Sequence, residues 1–161
     1  MIRSAAPTDA EKITGIYNHY IVNTPVTFEE ELVLPEQIAQ RMADILAESL
    51  PWLVFERDGT ILGYAYATKW RTRSAYRFSV ETSVYLDHAA VGGGIGSKLY
   101  EALFAELSER KVHAVIGGIT LPNEASIALH EKFGMKKVAH FNEVGFKFGR
   151  WLDVGYWERL L

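Results

Sequence analysis

The chain has 161 residues, the usual size of one compact domain, and no linker-like stretch divides it. Apolar residues make up 48% and charged residues 23% of it, an ordinary globular composition that excludes intrinsic disorder. Cysteine is absent, which excludes disulfide frameworks, thiolate metal sites and cysteine nucleophiles. The net charge of −3 argues against a general nucleic-acid-binding surface.

The beginning of the chain carries no apolar stretch long enough for a signal peptide. The longest uncharged apolar run, residues 114–121, is too short to span a bilayer. We therefore expect a single domain over residues 1–161, in the cytoplasm, without membrane or nucleic-acid partners.

Helical and extended patterns alternate along the chain, which predicts an α/β or α+β sheet protein. Apolar residues at helical spacing support the helices of the first half, and Asp58-Gly59 is typical of a hairpin turn. The predicted elements there are a strand at 2–5, a helix from Thr8 or Asp9 to Tyr20, a loop at 23–28, a helix from Pro35 with Ile38, Met42, Ile45 and Leu46 as its apolar stripe, and strands at 52–56 and 61–68.

The second half contains the clearest strand, residues 78–86. Its alternation places Val80 and Thr82 on one face and Glu81 and Ser83 on the other. The elements predicted after it are a helix from the glycine cluster to about Arg110, a strand at 112–120 buried on both faces, a helix from Pro122-Asn123 to Phe133 that Gly134 ends, and two further strands.

The glycine cluster at residues 92–96 lies between a predicted strand and a predicted helix. Glycine permits positive φ and close approach to the backbone, and a helix N-terminus offers unpaired N–H groups. Together these features predict a receptor for a phosphate or pyrophosphate. No Lys-Ser or Lys-Thr pair closes the loop as Mg-nucleotide binding would require. The alternative is a flexible surface loop.

A basic stretch, residues 69–77, holds four positive charges and no acid in a net-acidic chain. If the segment is extended, Lys69, Arg71, Arg73 and Arg77 point the same way. Guanidinium groups bind carboxylate, phosphinate or sulfonyl oxygens in a bidentate manner. The alternative is a solvated loop whose charges contact nothing.

Three further side chains are candidates for chemistry. Glu81 either faces water or is partly buried, and burial would raise its pKa into the range of a general base. His130 is either a packed core histidine or a proton carrier. Asn123 is a candidate N-cap residue for the helix that carries His130.

The order of strand, glycine turn, helix, strand and Asn-led helix over residues 80–134 resembles the acyl-CoA-binding core of the GNAT superfamily of N-acetyltransferases. Segments 78–85, 121–131 and 145–154, with 16–18 and 26–29, resemble phosphinothricin and methionine sulfoximine N-acetyltransferases within it. The resemblance implies a GNAT-type α+β fold, with a central mixed, mostly antiparallel sheet flanked by helices. It also implies a homodimer, for which the aromatic-rich segment 141–157 offers apolar surface, unless the core absorbs those rings.

The resemblance also implies acetyl-CoA as co-substrate, no metal, Glu81 as base and His130 as an active-site residue. The implied substrate residues are Phe28, Arg71, Arg73, Glu81, Thr82 and Ser83. The implied cofactor residues are Gly92, Gly93, Gly94, Ile95, Gly96 and Ser97 around the pyrophosphate, Val84, Tyr85 and Leu86 along the pantetheine arm, and Asn123. Val91 replaces the superfamily's usual Gln or Arg, so a side-chain contact to phosphate is expected to be missing.

We therefore predict acetyl transfer from acetyl-CoA to the α-amine of a small amino acid such as phosphinothricin, methionine sulfoximine or methionine sulfone. One alternative is another amine acceptor, namely a protein N-terminus, a lysine or a polyamine. Like-charge repulsion from the arginines argues against a cationic acceptor. The other alternative is a non-catalytic acyl-CoA-binding module.

Overall fold

The computed structural model describes all 161 residues as one seven-stranded sheet with helices on both faces. The strands are β1 (Ile2–Ser4), β2 (Trp52–Arg57), β3 (Thr60–Lys69), β4 (Ser79–Leu86), β5 (Ala114–Thr120), β6 (Lys136–Lys147) and β7 (Arg150–Leu160). The helices are α1 (Ala10–Asn23), α2 (Pro35–Ala47), α3 (Ile95–Glu109) and α4 (Glu124–Lys132). None of the helices is long and apolar enough to cross a membrane.

The sheet order is β1-β2-β3-β4-β5-β7-β6. Every neighbouring pair is antiparallel except β4 and β5, which run parallel. A parallel pair needs a crossover connection, and α3 supplies it between these two strands. The predicted mixed, mostly antiparallel sheet is thereby confirmed.

Each face of the sheet has its own hydrophobic core. On one face α3 packs against β2 to β5 through residues such as Leu99, Leu103 and Val80. On the other face α1 and α2 pack against β2 and β3 through residues such as Ile13 and Ile38. The alternation predicted for β4 is confirmed, since Val80 and Thr82 are buried on the α3 face.

The two parallel strands separate soon after they meet. β4 pairs with β3 from Val80 to Leu86, but it pairs with β5 only from Ser79 to Glu81. Beyond Glu81 the edge of β4 faces β5 without a ladder. The sheet therefore has a notch at its centre, and the residues that follow Glu81 line it.

Several predicted boundaries change for local reasons. The first helix runs to Asn23, beyond Tyr20, and Asp9 does not cap it by its side chain. The Asp9 carboxylate accepts instead from the Ala6 N–H at 2.7 Å and pairs with Arg3. In α2, Leu46 is 44% exposed and lies outside the buried stripe, and β5 begins at Ala114. Pro35 opens α2 as predicted, and Asp58 and Gly59 both have positive φ.

Candidate active site

The notch between β4 and β5 is a small cavity that both faces of the sheet help to build. Its β4 wall contains Thr82, Ser83, Val84 and Tyr85, and the other lining residues are Val26, Tyr100, Gly118, Ser126 and His130. Those residues come from the α1–α2 loop, α3, β5 and α4. One cavity therefore collects residues from five separate stretches of the chain.

The glycine turn leads into α3 beside this notch. Gly92 and Gly94 have φ of 93° and 71°, and Gly94 is the N-cap residue. These left-handed conformations are costly for residues with a Cβ. The N–H groups of Ile95, Gly96 and Ser97 donate to no backbone carbonyl. A fifteen-residue helix thus presents unpaired donors and the positive end of its dipole.

A lysine adds positive charge at the same helix end. The Lys132 ammonium donates to the Ser97 hydroxyl at 3.0 Å. Val91, at the position where the superfamily usually has Gln or Arg, is 65% exposed. Sequence reasoning missed Lys132 because it lies 35 residues from Ser97 and only the packing of α4 against α3 brings the two together.

Asn123 is the N-cap residue of α4, as predicted. Its side-chain oxygen accepts from the Ser126 N–H at 3.1 Å. The helix that it starts carries Ser126 and His130 into the notch. Asn123 therefore has a structural role at the site, because it caps the helix that carries Ser126 and His130.

Glu81 lies on the opposite face of β4 from the α3 core and next to a second cavity. The register aligns Glu81 with Ile116 on β5 and Ile116 with Glu158 on β7. Burial raises the pKa of the Glu81 carboxyl, and attraction to the Arg71 guanidinium lowers it in part. Of the two alternatives open for Glu81, partial burial with a raised pKa is what the structure contains.

The second cavity has a volume of about 270 Å³. Its lining is mostly apolar with one cation and one carboxylate, and consists of Trp70, Arg71, Ile116, Val138, Ala139, Phe141, Tyr156 and Glu158. The Arg71 guanidinium lies 4.1 Å from the centre of the Trp70 ring. Pockets for drug-sized ligands run to roughly 300–1,000 Å³, so this one suits a smaller molecule.

His130 is buried, with 3% of its surface exposed, against Gly117 of β5. A Cβ at Gly117 would stand 2.6 Å from the imidazole ring, so the close approach requires glycine. His130 Nδ1 lies 2.7 Å from the Ser126 carbonyl oxygen, which only accepts. Nδ1 therefore carries the proton, and Nε2 accepts from the Tyr100 hydroxyl at 3.0 Å. Burial lowers the pKa of His130, which favours this neutral form.

The basic stretch is not extended, so the condition under which its four charges would point the same way is not met. Residues 74–76 form a 3₁₀ turn. Lys69 pairs with Glu48, and the Arg77 guanidinium lies over the Phe78 ring. Arg71 reaches the second cavity, whereas Arg73 is exposed and lines neither cavity.

The three other predicted substrate residues, Phe28, Thr82 and Ser83, lie in different parts of the structure. Ser83 lines the notch on the Glu81 face. Thr82 also lines the notch, from the α3 face, where it is buried 3.4 Å from the Tyr100 hydroxyl. Phe28 lies against Gly145 of β6 and lines neither cavity, although Val26 of the same loop lines the notch.

Tyr100, Tyr156 and Glu158 are site residues that the sequence did not indicate. Each sits in an amphipathic helix or strand where a polar aromatic or an acid is ordinary. Their role emerges only from the register of β5 with β7 and from the packing of α3. No group of three or more His, Asp or Glu side chains is placed to hold a metal ion.

A mixed sheet opened between two parallel strands, with a glycine turn and helix N-terminus beside the opening, defines an acyltransferase of the class that the sequence resembles. The chain belongs to the GNAT acetyltransferase family, since the family model described as an acetyltransferase (GNAT) domain matches residues 2–155. The family prediction from the sequence is confirmed.

Two relatives cover almost the whole chain. A phosphinothricin N-acetyltransferase of Streptomyces coelicolor is 40% identical, with 99% of this chain and 95% of that protein covered. An L-methionine sulfoximine/L-methionine sulfone acetyltransferase of Salmonella typhimurium is 38% identical, with 98% and 92% covered.

Two solved structures match over the full chain. A phosphinothricin acetyltransferase from Sinorhizobium meliloti in complex with acetyl-CoA has a TM-score of 0.97 at 36% identity, covering 100% of this chain and 88% of that one. A ribosomal-protein-alanine N-acetyltransferase from Brucella melitensis has a TM-score of 0.98 at 40% identity, covering 100% and 99%.

Proposed function

We propose that this protein transfers the acetyl group of acetyl-CoA to the α-amine of a small amino acid, of the kind of phosphinothricin, methionine sulfoximine or methionine sulfone. One observation carries the proposal: at the last pair before β4 and β5 separate, Glu81 aligns with Ile116 of the acceptor-sized cavity and directly precedes Thr82 and Ser83 of the notch. The names of the relatives at about 40% identity support the same substrate class.

The residues around the notch fit acetyl-CoA. The free N–H groups of Ile95, Gly96 and Ser97 suit a pyrophosphate, and Lys132 adds a cation that compensates for Val91. The unpaired edge of β4 from Val84 to Leu86 suits the amide-bearing pantetheine arm, which would lie along it like an added strand. When bound, acetyl-CoA supplies the thioester carbonyl that the amine attacks.

Glu81 is assigned the part of general base. An α-amine arrives mostly protonated at neutral pH, and only the neutral amine is a nucleophile. A carboxylate with a raised pKa is a better proton acceptor than an exposed one and takes that proton directly or through a water. Because its neighbour across the ladder lines the second cavity and the next two residues of β4 line the notch, Glu81 would lie between acceptor and donor.

Arg71 is assigned the binding of the acceptor's acidic or oxidised end. Its guanidinium is fixed by the Trp70 ring and faces the second cavity. A charged hydrogen bond there would hold the amine near Glu81 and so lower the entropic cost of the reaction. Arg73 receives no such part, because it lines neither cavity.

His130 is assigned an orienting part rather than that of an acid. In the neutral tautomer its only proton is bonded to the Ser126 carbonyl, so it has none to give to a departing thiolate. Its free nitrogen holds the Tyr100 hydroxyl in place at the wall of the notch.

We also propose a cytoplasmic homodimer. The hairpin of β6 and β7 carries large exposed apolar side chains at Val138, Phe141, Val144, Phe146, Phe148, Trp151 and Leu160. Exposed apolar patches of this kind mark association surfaces. The alternative, that the core absorbs these rings, does not fit their exposure.

A second candidate function is acetylation of a protein N-terminus, favoured by the similarity to the ribosomal-protein-alanine N-acetyltransferase. The two candidates separate in one assay. Thiol release from acetyl-CoA is measured with methionine sulfone, phosphinothricin, spermidine and a peptide with N-terminal alanine. We expect the highest kcat/KM with one of the first two. A preference for the peptide supports the second candidate. If none of the four acceptors causes thiol release, both candidates are refuted.

A further inference from the structure

A buried lysine joins the β6–β7 hairpin to the loop between α1 and α2. Lys147, the last residue of β6, is 2% exposed and forms no salt bridge. Its Nζ donates to the carbonyl oxygens of Thr24 at 2.9 Å and Thr27 at 2.8 Å. A buried ammonium costs free energy unless it is well bonded, and these two hydrogen bonds, together with the Phe148 ring 5.1 Å away, hold it there.

A second contact ties the same hairpin to the same loop. The ring of Phe28 lies where a Cβ at Gly145 would stand. Glycine at that position lets the tip of the ring approach the strand closely. Gly145 and Lys147 alternate with exposed Phe146 and Phe148, so one face of this strand holds the loop while the other faces outward.

The far part of the loop is held by the helices instead. The Arg41 guanidinium donates twice to the Glu29 carboxylate, at 2.8 and 2.6 Å. Asn18 bonds both backbone groups of Val33 at 3.0 Å. Residues 24–28 are held from two sides. Helix α1 holds Thr24, whose N–H and hydroxyl donate to the Tyr20 carbonyl, and Thr27 through the Tyr17 hydroxyl, while the hairpin holds the other side.

The segment held in this way reaches the site. Val26 lines the notch opposite Tyr85 and His130. We propose that Lys147 is a positioning residue that fixes the 24–28 segment at the mouth of the notch and so sets the fit of the acetyl-bearing end of acetyl-CoA there. Without the ammonium, two buried carbonyl groups lose their partners, and the segment moves outward to hydrate them.

The first arm of the test is limited proteolysis. Chymotrypsin cuts after Phe28, at the end of the 24–28 segment itself, and cleavage at this bond is followed. We expect Lys147→Met to be cleaved there at least about fivefold faster than wild type, as the loss of buried hydrogen bonds predicts. The matched control is Lys111→Met, because Lys111 is exposed at the far end of α3 and donates no side-chain hydrogen bond. Equal cleavage of all three proteins overturns the proposal.

The second arm is kinetic and rests on the proposed acetyl transfer. With methionine sulfone as acceptor, Lys147→Met and Gly145→Ala are both expected to raise the KM of acetyl-CoA by at least about fivefold, with the acceptor KM unchanged. A fall in melting temperature with neither KM altered indicates a purely structural lysine and overturns the proposal. If no acceptor is acetylated even by wild type, the proposed function fails, while the proteolysis arm still decides the positioning of the loop.

Discussion

Glu81 owes its chemistry to its position in the sheet rather than to its neighbours in the sequence. It is half-buried at the point where two strands separate, and burial is the main cause of its raised pKa. A folded-state pKa above the unfolded one means that the ionised carboxylate destabilises the fold at every pH above the folded pKa. The protein thus accepts a cost in stability for a stronger base.

Glu81→Gln is therefore expected to separate activity from stability. Turnover in the thiol-release assay should fall by about 10²–10⁴-fold, the usual contribution of a general base. The acetyl-CoA KM should be unchanged, and the melting temperature near neutral pH unchanged or higher. The control is Glu101→Gln on the outer surface of α3. Turnover equal to wild type would remove Glu81 from the mechanism.

The same residue predicts the shape of the pH profile. Because the base must be ionised, kcat/KM should fall as the pH drops through the raised pKa of Glu81. The acidic limb of the wild-type profile is expected above the range of an exposed glutamate and absent from Glu81→Gln. An acidic limb that persists in that variant would belong to another group.

Arg71 and Arg73 are predicted to differ, although they are two residues apart in a stretch of like charge. Arg71→Ala should raise the acceptor KM by about 10-fold or more, the effect of a lost charged hydrogen bond. Arg73→Ala should leave it within about twofold, because exposed charges that contact nothing contribute little. Initial rates at varied acceptor concentration measure both. Equal effects would place Arg73 in the acceptor cavity as well.

Among the elements, the N-terminal end of α3 is where backbone geometry and ligand binding meet. Gly94 has a positive φ at the N-cap, whereas Gly93 does not. A Cβ at Gly93 would meet its nearest atoms at ordinary distances of 3.8 and 4.0 Å. Gly94 is therefore needed for the turn, whereas Gly93 can be replaced without disturbing the fold.

Gly94→Ala should lower stability by about 1–2 kcal/mol, the cost of a left-handed conformation for a residue with a Cβ. Gly93→Ala should be neutral or stabilising by up to about 1 kcal/mol, because it restricts the unfolded chain. Denaturant titration measures both, and isothermal titration with coenzyme A measures binding. We expect weaker binding in Gly94→Ala. Unchanged binding would show that the conformation of this turn does not contribute to pyrophosphate binding.

At the scale of the whole molecule, the β6–β7 hairpin is the part that the monomer leaves uncovered. The rings of Phe146 and Trp151 stand 4.8 Å apart on its surface, each more than half exposed. The same hairpin lines the second cavity, and its Lys147 and Gly145 hold the loop on either side of Val26. Dimerisation through the outer face of the hairpin would therefore also stabilise the strands that line the second cavity.

The double variant Phe146→Ser and Trp151→Ser is expected to be a monomer at concentrations where wild type is a dimer, because it removes apolar contact area from the middle of the patch. Sedimentation equilibrium measures the mass of each. The control is Val22→Ser with Leu32→Ser, which removes exposed apolar groups elsewhere. A wild-type monomer, or a variant that still dimerises, would contradict the assignment.

The sequence by itself determined the elements and the family. Local signals were sufficient for Pro35 at the start of α2, the Asp58-Gly59 turn, Asn123 at the start of α4 and Gly134 at its end, because capping and turn chemistry act within a few residues. The alternation in β4 was also enough to separate Glu81 from Val80.

The tertiary structure alone decided what those residues face. The features that decided this join residues that lie 30 to 123 positions apart in the sequence. They are the separation of β4 from β5, the hydrogen bond between Tyr100 and His130, and the contacts of Lys132 and Lys147. The different surroundings of Arg71 and Arg73 were not predictable for the same reason: a short charged segment does not specify where the backbone bends or which neighbour lies across it. Such contacts depend on strand register and helix packing, which the whole chain sets together.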